Sequence, residues 1–383
     1  MYRLTTEQQA IIRRVSAIAD QQIGPFAERV DRDATFPRES IAALAAGGFL
    51  GLTVPPEYGG MGQGLRVAAA VLDEVGQRCS STAMVYLMHL CGVACYLVAP
   101  GRTEMQLRAA AAGTHLSTLA WSEQGSRSHF WAPVSQAARD GAGVRISAQK
   151  SFVTSAGEAD GYVVSTRWAD AKQPTESMLY LVLADDAGIR TEAPWAGMGM
   201  RGNASGPMRF THVLVDNERA LSDEGQGFAV MLTAVLPLFQ IGSAAVSVGI
   251  AEAAVRATQQ HLKGARFEHL GSSLADLPNL RARLAQMRIE TDRARAHLVG
   301  VLDAVEQQSD AAQLLVLGIK ASAAQAAMSV TETAMRACGG AAFGNGLPLA
   351  RLFRDARASD VMAPTTDVAH EFIGRALVGM ELF

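Results

Sequence analysis

The sequence has no excess of positive charge and few cysteines. The formal net charge is −3 over 383 residues, which leaves no electrostatic footprint for nucleic acid or for an anionic lipid surface. The four cysteines lie in apolar or Gly/Ala-rich segments, without a CxxC pair or a histidine cluster: Cys79, Cys91, Cys95 and Cys338. We therefore expect no metal site and interpret these residues as buried free thiols.

The sequence also lacks a segment typical of secretion or membrane insertion. The N-terminal residues 1–9 are polar and have no apolar core, and the apolar stretch 235–251 is interrupted by Pro237 and Gln240. We expect a cytoplasmic chain with no membrane partner. Its length predicts two or three domains, each with its own core.

Three blocks of the sequence differ in periodicity. Residues 1–117 are helical in pattern, with Thr5 and Thr6 at the start of the first helix. Residues 118–225 contain short alternating runs separated by Gly, Asp and Pro, which predict a compact β domain. Residues 226–383 return to helical spacing and predict a helical bundle, including a helix from about Asn279, its expected N-cap, to Val305.

Two stretches of the middle block have the same design. The run 119–128 passes from apolar residues through Trp121 to Ser122, and the run 149–157 passes through Phe152 to Thr154. Each indicates a strand that ends in a loop with an aromatic and a hydroxyl side chain. Two such strand ends favour a flat ligand that forms hydrogen bonds, such as a flavin ring.

At these residues the chain resembles the acyl-CoA dehydrogenase family. The family's Thr-Glu-Pro-Gly-(small)-Gly-Ser loop corresponds to 122–128, with departures at Gln124 and Arg127, and its Lys-(Trp/Phe)-Ile-Thr-(Asn/Ser) strand corresponds to 151–155. Further matches are Gly51 to Gly60, Gly199 to Ser205 with Asn203 in place of the usual serine, Gly339-Gly340, and Arg354-Asp355-Ala356.

The resemblance implies a fold and a cofactor. It implies a mainly α, α+β protein of three domains: an N-terminal helical domain (1–117), a middle β-barrel (118–225) and a C-terminal four-helix bundle (226–383). FAD would lie between the last two domains and would be shared between subunits, so that the protein is a homodimer or a homotetramer. Arg354 and Asp355 are expected to form a structural ion pair.

The resemblance also assigns roles to individual residues. Thr154 would contact the flavin N5, Ser122 and the backbone of Trp121 its pyrimidine edge, and Phe152 its ring. The other expected cofactor contacts are Arg266, Gly339 and Gly340, which reach the FAD of a neighbouring subunit, and Thr365 and Thr366. The expected substrate contacts are Ser128, His89 and Phe239, while Phe130 and Trp131 either narrow the pocket or simply pack.

The residue that the family uses as its catalytic base is missing. The glutamate that removes the α-proton of the acyl thioester corresponds to Ala363, and the alternative position used by some members corresponds to Phe239 and Gln240. A methyl group cannot accept a proton, and general-base catalysis contributes about 10²–10⁴-fold. Replacement bases are sought at Asp367, His370, His89 and His129, although a histidine in an apolar helix is more often a core residue. Glu123 belongs to the loop itself and is expected to be structural.

Three functions follow from this pattern. The first is an FAD-dependent oxidoreductase that acts on the CH–CH group of an acyl thioester carried by CoA or a carrier protein, with an electron-transfer flavoprotein as a possible partner. The second is a two-component flavin monooxygenase, which needs a flavin reductase and no α-proton base. The third is a non-catalytic subunit that binds flavin or a thioester, which the retention of Ser122 and Thr154 disfavours.

Overall fold

The computed structural model describes residues 2–127, 129–344 and 346–382. The N-terminal part is helical, as the sequence predicts. Thr5 caps the first helix in a capping box with Gln8, which satisfies backbone N–H groups that have no partner within the helix. The helices are α1 (Thr6–Ile18), α2 (Ala27–Asp33), α3 (Arg38–Ala46), α4 (Leu65–Gly76), α5 (Ser80–Tyr96) and α6 (Pro100–Ala111).

The middle part is a flattened barrel made of two sheets around one core. The strands are β1 (Ser117–Ala120), β2 (Ala138–Asp140), β3 (Gly143–Val153), β4 (Gly161–Arg167), β5 (Ser177–Leu183), β6 (Ile189–Thr191) and β7 (Gly206–Asp216). One sheet has the order β1-β4-β5 and the other β2-β3-β7-β6. An isolated bridge between Glu123, which follows β1, and Lys150 of β3 joins the sheets, and side chains such as Ile146, Val164 and Phe210 fill the space between them.

The C-terminal part is built on three long helices. A π-helical segment, Met231–Val235, joins α7 (Gly227–Val230) to α8 (Leu236–Gly264), and a two-stranded hairpin, β8 (Arg266–Phe267) with β9 (Ser272–Ser273), precedes α9 (Pro278–Glu306). Helix α10 (Ala312–Cys338) packs on α8, α9 and α14 (Thr366–Leu377), which makes a four-helix arrangement. Between α10 and α14 lie α11 (Gly340–Phe343), α12 (Leu349–Asp355) and α13 (Ala358–Val361).

The N-cap of helix α9 lies two residues before the predicted one. Pro278 is the first helical residue and Leu277 is the N-cap, so that Asn279 lies inside the helix. Proline is favoured at this first position because its missing N–H would have no partner there and its φ angle already suits a helix.

A buried network of charges connects the N-terminal and C-terminal parts. Arg295 on α9 contacts Asp73 on α4 at 3.1 Å, and the hydroxyl of Tyr2 donates to the same carboxylate at 2.9 Å. Helices α4 and α5 also pack on α8. Two segments, Gly227–Gly264 and Ala312–Cys338, are long and apolar enough to cross a membrane, but their most apolar windows are 67% and 61% buried inside the fold. They are the central helices of the bundle.

Candidate functional site

A cavity of about 590 Å³ lies where the three parts of the chain meet. Helix α5 contributes Met84 and Met88, and the start of α8 contributes Leu236 and Phe239. The middle domain and the segment 354–365 supply the rest of the wall. Its remaining described lining residues are Leu119, Trp121, Ser122, Arg127, Phe130, Phe152, Thr154, Trp195, Met198, Gly199, Met200, Asn203, Ser205, Val235, Arg354, Arg357, Ala358, Val361, Met362, Ala363, Pro364 and Thr365.

The strand ends that the sequence singles out meet at this cavity. Trp121 and Ser122 follow β1, and Thr154 follows β3. The hydroxyl of Thr118 donates to the carbonyl oxygen of Thr154 at 2.8 Å, and the hydroxyls of Thr154 and Ser205 are 2.9 Å apart. The first hydrogen bond holds the backbone of Thr154, and the second holds its side chain on the cavity wall.

A bulge in β3 turns Phe152 into the cavity. Lys150 pairs with Met208 and Val153 pairs with Gly206, so β3 has one more residue than β7 over this interval. The extra residue of a bulge leaves the ladder and re-aims its side chain. Phe152 has a φ of 54°, is 67% exposed and meets the edge of Trp195 at a centroid distance of 6.2 Å.

Two buried polar atoms beside the cavity have no hydrogen-bond partner among the described residues. They are Nε1 of Trp121 and Oγ1 of Thr366. An unpaired polar atom in the interior costs free energy, so such atoms mark places where a ligand or water completes the hydrogen bonding. Thr365 beside them is the N-cap of α14 and accepts from the N–H of Val368. This donor set fits a flavin, whose pyrimidine edge and side chain offer several acceptors.

A buried ion pair holds the loop after β1. The Lys150 ammonium donates to Glu123 at 2.7 Å and to the carbonyl oxygen of Ser165 at 2.5 Å. The other carboxylate oxygen of Glu123 accepts from the N–H groups of Val134 and Ser135. Burial acts to raise the pKa of Glu123, but the nearby ammonium and these hydrogen bonds outweigh it, and the pKa of Glu123 is lowered. Glu123 is therefore structural, as the sequence indicates.

Arg354 and Asp355 do not pair with each other as expected. Arg354 contacts Asp31 of the N-terminal part at 2.5 Å and donates to the carbonyl oxygen of Met198. Asp355 is buried and accepts from the N–H of Met200 at 2.7 Å. Neighbouring residues on a helix point in different directions, so the two side chains fix different segments of the cavity wall.

Lys320 supports the segment that carries Ala363. Its side chain is buried on α10, and its Nζ donates to the carbonyl oxygens of Ser359 (2.5 Å), Met362 (2.9 Å) and Pro364 (2.9 Å). Burial lowers the pKa of Lys320 to about 8, so the ammonium still predominates at neutral pH. Its three N–H donors match the three carbonyl groups.

We expect Lys320→Met to lower the free energy of unfolding by about 1–3 kcal/mol, because buried carbonyl groups lose their donor while the segment can partly relax towards water. Urea denaturation measures this change. The variant should also bind FAD more weakly, since Thr365 adjoins the released segment. Met328→Ala on the same helix is half-buried and serves as a packing control whose FAD affinity should stay unchanged; equal FAD affinity in both variants would contradict the supporting role.

The described residues of the cavity wall include no group suited to remove a proton. Among the described lining residues the ionisable side chains are arginines only: Arg127, Arg354 and Arg357. Asp367 and His370 are exposed on α14 and do not line the cavity. His129 is exposed and stacks on Trp131. The structure therefore does not place any of the expected replacement bases at the site.

His89 is a core residue. It is fully buried, its Nε2 lies 2.7 Å from the carbonyl oxygen of Leu50, and its Nδ1 accepts from the N–H of Ser117 at 3.1 Å. The catalytic and substrate-contact roles expected of it are wrong in this geometry, because helix α5 turns Met84 and Met88 to the cavity instead. Burial lowers the pKa of His89 to about 4.

The lowered pKa of His89 predicts a loss of stability in mild acid. Between its folded pKa and the unfolded value near 6.5, only the unfolded chain binds the proton, so stability falls as pH decreases through this range. The contribution of His89 is about 1 kcal/mol between pH ~7.5 and ~5.5. Urea denaturation at both pH values checks it: His89→Gln should show a smaller pH dependence than the unchanged chain, and an equal dependence would contradict the buried neutral imidazole.

Most of the other expected site residues lie away from the cavity. Gln240 is buried in the bundle core, whereas Phe239 does line the cavity. Arg266, Gly339 and Gly340 are exposed on the surface, where contacts with the FAD of another subunit stay a prediction. Ser128 lies outside the described residues.

Phe130 separates the main cavity from a second, smaller one. It stacks on Trp121 at a centroid distance of 5.8 Å and lines both cavities. The second cavity measures about 300 Å³, and Trp131 and Phe372 stand in its wall 5.5 Å apart. Phe130 therefore narrows the main cavity, while Trp131 packs in the wall of the second cavity.

Two residues of the site were not among the predicted ones: Arg127, which lines the cavity, and Lys320, which supports the segment around Ala363. A signal existed for each. Lys320 is the only charged residue between Ala312 and Ser329 of an apolar helix, and Arg127 stands where the resembled family has glycine. Its backbone has a φ of 53°, a conformation that glycine adopts without strain.

The three-part fold and the cavity between its parts define a flavin-dependent oxidoreductase. The chain belongs to the acyl-CoA dehydrogenase family. The models of the family's N-terminal, middle and C-terminal domains match residues 5–111, 118–213 and 225–378. Members of this family bind FAD, which confirms the expected cofactor.

Individual relatives agree with this assignment. The chain is similar to a cyclohex-1-ene-1-carbonyl-CoA dehydrogenase of Syntrophus aciditrophicus, with 28% identity over 99% of this chain and 91% of the relative. It is 27% identical to a 3-(aryl)acrylate reductase of Clostridium sporogenes, over 97% of this chain and 99% of the relative. The solved structure of butyryl-CoA dehydrogenase from Megasphaera elsdenii superposes with a TM-score of 0.91 at 22% identity, covering 98% of this chain and 99% of the other.

Proposed function

We propose that this protein is an FAD-dependent oxidoreductase that acts on the CH–CH group of an acyl thioester and does so without the usual glutamate base. The observation that carries the proposal is the cavity itself. It combines the two strand ends that carry Ser122 and Thr154 with an apolar wall made of Met84, Met88 and Phe239. Such a wall suits an acyl group.

The chain's residues have two roles in this proposal: they bind the cofactor and they position the acyl group. Bound FAD supplies the acceptor for the two electrons of the β C–H bond. Thr154, Ser122, Trp121 and Thr365 bind and orient the cofactor, and the apolar wall positions the acyl group. Since none of the described lining side chains can take the α-proton, that proton leaves to water or to a group on the substrate. The proposal therefore favours acyl groups whose departing proton is already acidic: the α-proton of a saturated thioester, or the γ-proton of a thioester that already has an α,β double bond.

Relatives with related substrates support this class of reaction. Two of them are named for a cyclohexene-carbonyl thioester and for an aryl acrylate, and each name contains a carbon–carbon double bond conjugated with the carbonyl group. Conjugation of this kind makes a neighbouring proton easier to lose. We propose an unsaturated or ring-bearing acyl group as the substrate, carried by CoA or by a carrier protein.

An anaerobic titration tests the proposal. The purified holoenzyme is mixed with a panel of acyl-CoAs, from butyryl-CoA to cyclohex-1-ene-1-carbonyl-CoA, and the flavin absorbance near ~450 nm is followed. We expect slow bleaching that is faster with the cyclic thioester than with the saturated straight chain. No bleaching by any of the thioesters would refute the dehydrogenase proposal.

The absence of a base among the described lining residues also supports a second candidate, a two-component flavin monooxygenase. Such a reaction needs a dry pocket and a flavin reductase but no α-proton base. It predicts a product that carries one oxygen atom from ¹⁸O₂ when reduced flavin is supplied, detected by mass spectrometry. Bleaching by a thioester without oxygen, together with an unlabelled product, would exclude it.

The assembly and the electron acceptor belong to the same proposal. We propose a cytoplasmic homodimer or homotetramer, because Arg266, Gly339 and Gly340 are exposed on the single chain and the family resemblance directs them to a neighbour's FAD. Electrons would pass on to an electron-transfer flavoprotein. Light scattering of the purified holoenzyme tests the assembly, and a monomer would contradict it.

A further inference from the structure

Arg127 is the one cavity-lining arginine without a partner among the described residues. Arg354 is paired with Asp31, and Arg357 lies over the ring of Phe353 at 3.6 Å and donates to its carbonyl oxygen. Arg127 forms no hydrogen bond, ion pair or ring contact with any described residue, yet it lines the main cavity. The Arg127 residue is exposed, so its guanidinium is open to solvent and available to a ligand in the cavity.

The backbone of Arg127 adopts a conformation that suits glycine better than arginine. Its φ of 53° lies in the left-handed region, which costs a bulky residue about 1–2 kcal/mol and glycine almost nothing. The same loop contains a glycine two residues earlier, Gly125. Strained residues of this kind concentrate where a side chain meets a ligand.

The rest of the cavity decides which ligand fits. Trp121, Phe130 and Phe152 form an aromatic wall beside Arg127, and no carboxylate among the described lining residues competes for the guanidinium. A planar guanidinium binds a carboxylate through two parallel hydrogen bonds. An anion that enters an apolar cavity needs such a partner, because an unpaired charge there is strongly disfavoured.

We propose that Arg127 binds a carboxylate of the substrate inside the cavity. The inference rests on the proposed function and narrows it: the substrate is an apolar acid, either a free unsaturated acid or an acyl thioester whose acyl group ends in a second carboxylate. Both sources present the same group to Arg127. The phosphates of a carrier arm are a different ligand, and their recognition by Arg127 is an outcome that the experiment must separate.

Equilibrium binding to the holoenzyme tests this inference without turnover. The probes form two pairs that differ in a carboxylate: 3-phenylacrylate with its neutral amide, and glutaryl-CoA with valeryl-CoA. We expect at least one carboxylate probe to bind at least tenfold more tightly than its neutral partner. Arg127→Gln should abolish that preference and leave the neutral partner's affinity unchanged, while Arg127→Lys should keep part of it. A preference confined to the first pair assigns the free acid, and one confined to the second assigns the dicarboxylic thioester.

Two further variants serve as controls. Arg127→Gly removes the side chain and relieves the backbone, so its melting temperature should equal or exceed that of the unchanged chain while the carboxylate preference disappears. Arg139→Gln changes an exposed arginine of the same domain that does not line the cavity, and it should bind all four probes normally.

Three outcomes would overturn the inference. One is the absence of any carboxylate preference in the unchanged holoenzyme. Another is a preference that survives in Arg127→Gln. The third is an equal loss of glutaryl-CoA and valeryl-CoA binding in Arg127→Gln with no effect on the free acid, which would assign Arg127 to the carrier phosphates. None of these results bears on whether a thioester bleaches the flavin, so the proposed function is tested separately.

Discussion

Ala363→Glu is expected to accelerate anaerobic flavin bleaching by about 10²–10⁴-fold, the usual contribution of a general base. Ala363 lines the cavity, and Lys320 fixes the carbonyl groups of Met362 and Pro364 on either side of it. The introduced carboxylate would therefore lie where it can take the acidic proton of the acyl group, and bound FAD would supply the acceptor for the two electrons of the C–H bond that breaks. Stopped-flow absorbance with the thioester that bleaches the unchanged holoenzyme measures the rate.

Ala363→Gln is the matched control. It has almost the same size as the glutamate variant but accepts no proton at neutral pH, so its bleaching rate should stay near that of the unchanged protein. The rate of the glutamate variant should also rise with pH as its carboxyl group ionises. Equal rates in the two variants, with the thioester bound in both, would show that a base acts elsewhere and would contradict the account of the cavity.

Lys150→Met should lower the free energy of unfolding by about 3–5 kcal/mol, because it leaves the Glu123 carboxylate buried without its counter-ion. The Lys150 side chain is fully buried and that of Glu123 is 5% exposed. The pair also holds the loop that presents Trp121 and Ser122, so FAD retention should fall with stability. Urea denaturation and the FAD content after dialysis measure the two effects.

A surface pair provides the comparison. Arg139 and Asp170 form an ion pair with side chains 57% and 55% exposed, so Arg139→Met should change the free energy of unfolding by no more than about 1 kcal/mol. The double variant Lys150→Met with Glu123→Gln should recover part of the loss, since it no longer leaves a bare charge. A single Lys150→Met variant as stable as Arg139→Met would contradict the structural role of the buried pair.

The flavin-facing side of the cavity could be predicted because its signals are local. A strand pattern that breaks into an aromatic and a hydroxyl marks a strand end within a few residues, and Trp121, Ser122, Phe152 and Thr154 all line the cavity. Glu123 could be assigned to the loop for the same reason. Three domain-sized blocks of different periodicity likewise predicted the helical, β and helical parts of the fold.

The sequence could not show that the candidate replacement bases lie away from the cavity, because this depends on which face of each helix meets the cavity. Sequence alone placed Asp367 and His370 close to Ala363, but α14 packs through Ala369 and Phe372 and leaves the two polar side chains exposed. His89 faces the core for the same reason.

Long-range partners are also invisible in the sequence. Arg354 pairs with Asp31, which is 323 residues away, so no local pattern announces the contact. The single charge of Lys320 in an apolar helix marks the residue, but the carbonyl groups that it binds lie 39 to 44 residues further along the chain, so the sequence does not identify them.

The FAD content of the purified holoenzyme tests the central claim most directly. The account predicts a yellow protein that releases one FAD per chain on denaturation, identified by chromatography, and that loses affinity for FAD in a Thr154→Val, Ser122→Ala double variant. A colourless protein that takes up no FAD when the cofactor is added would contradict the assignment of the cavity between the middle and C-terminal parts.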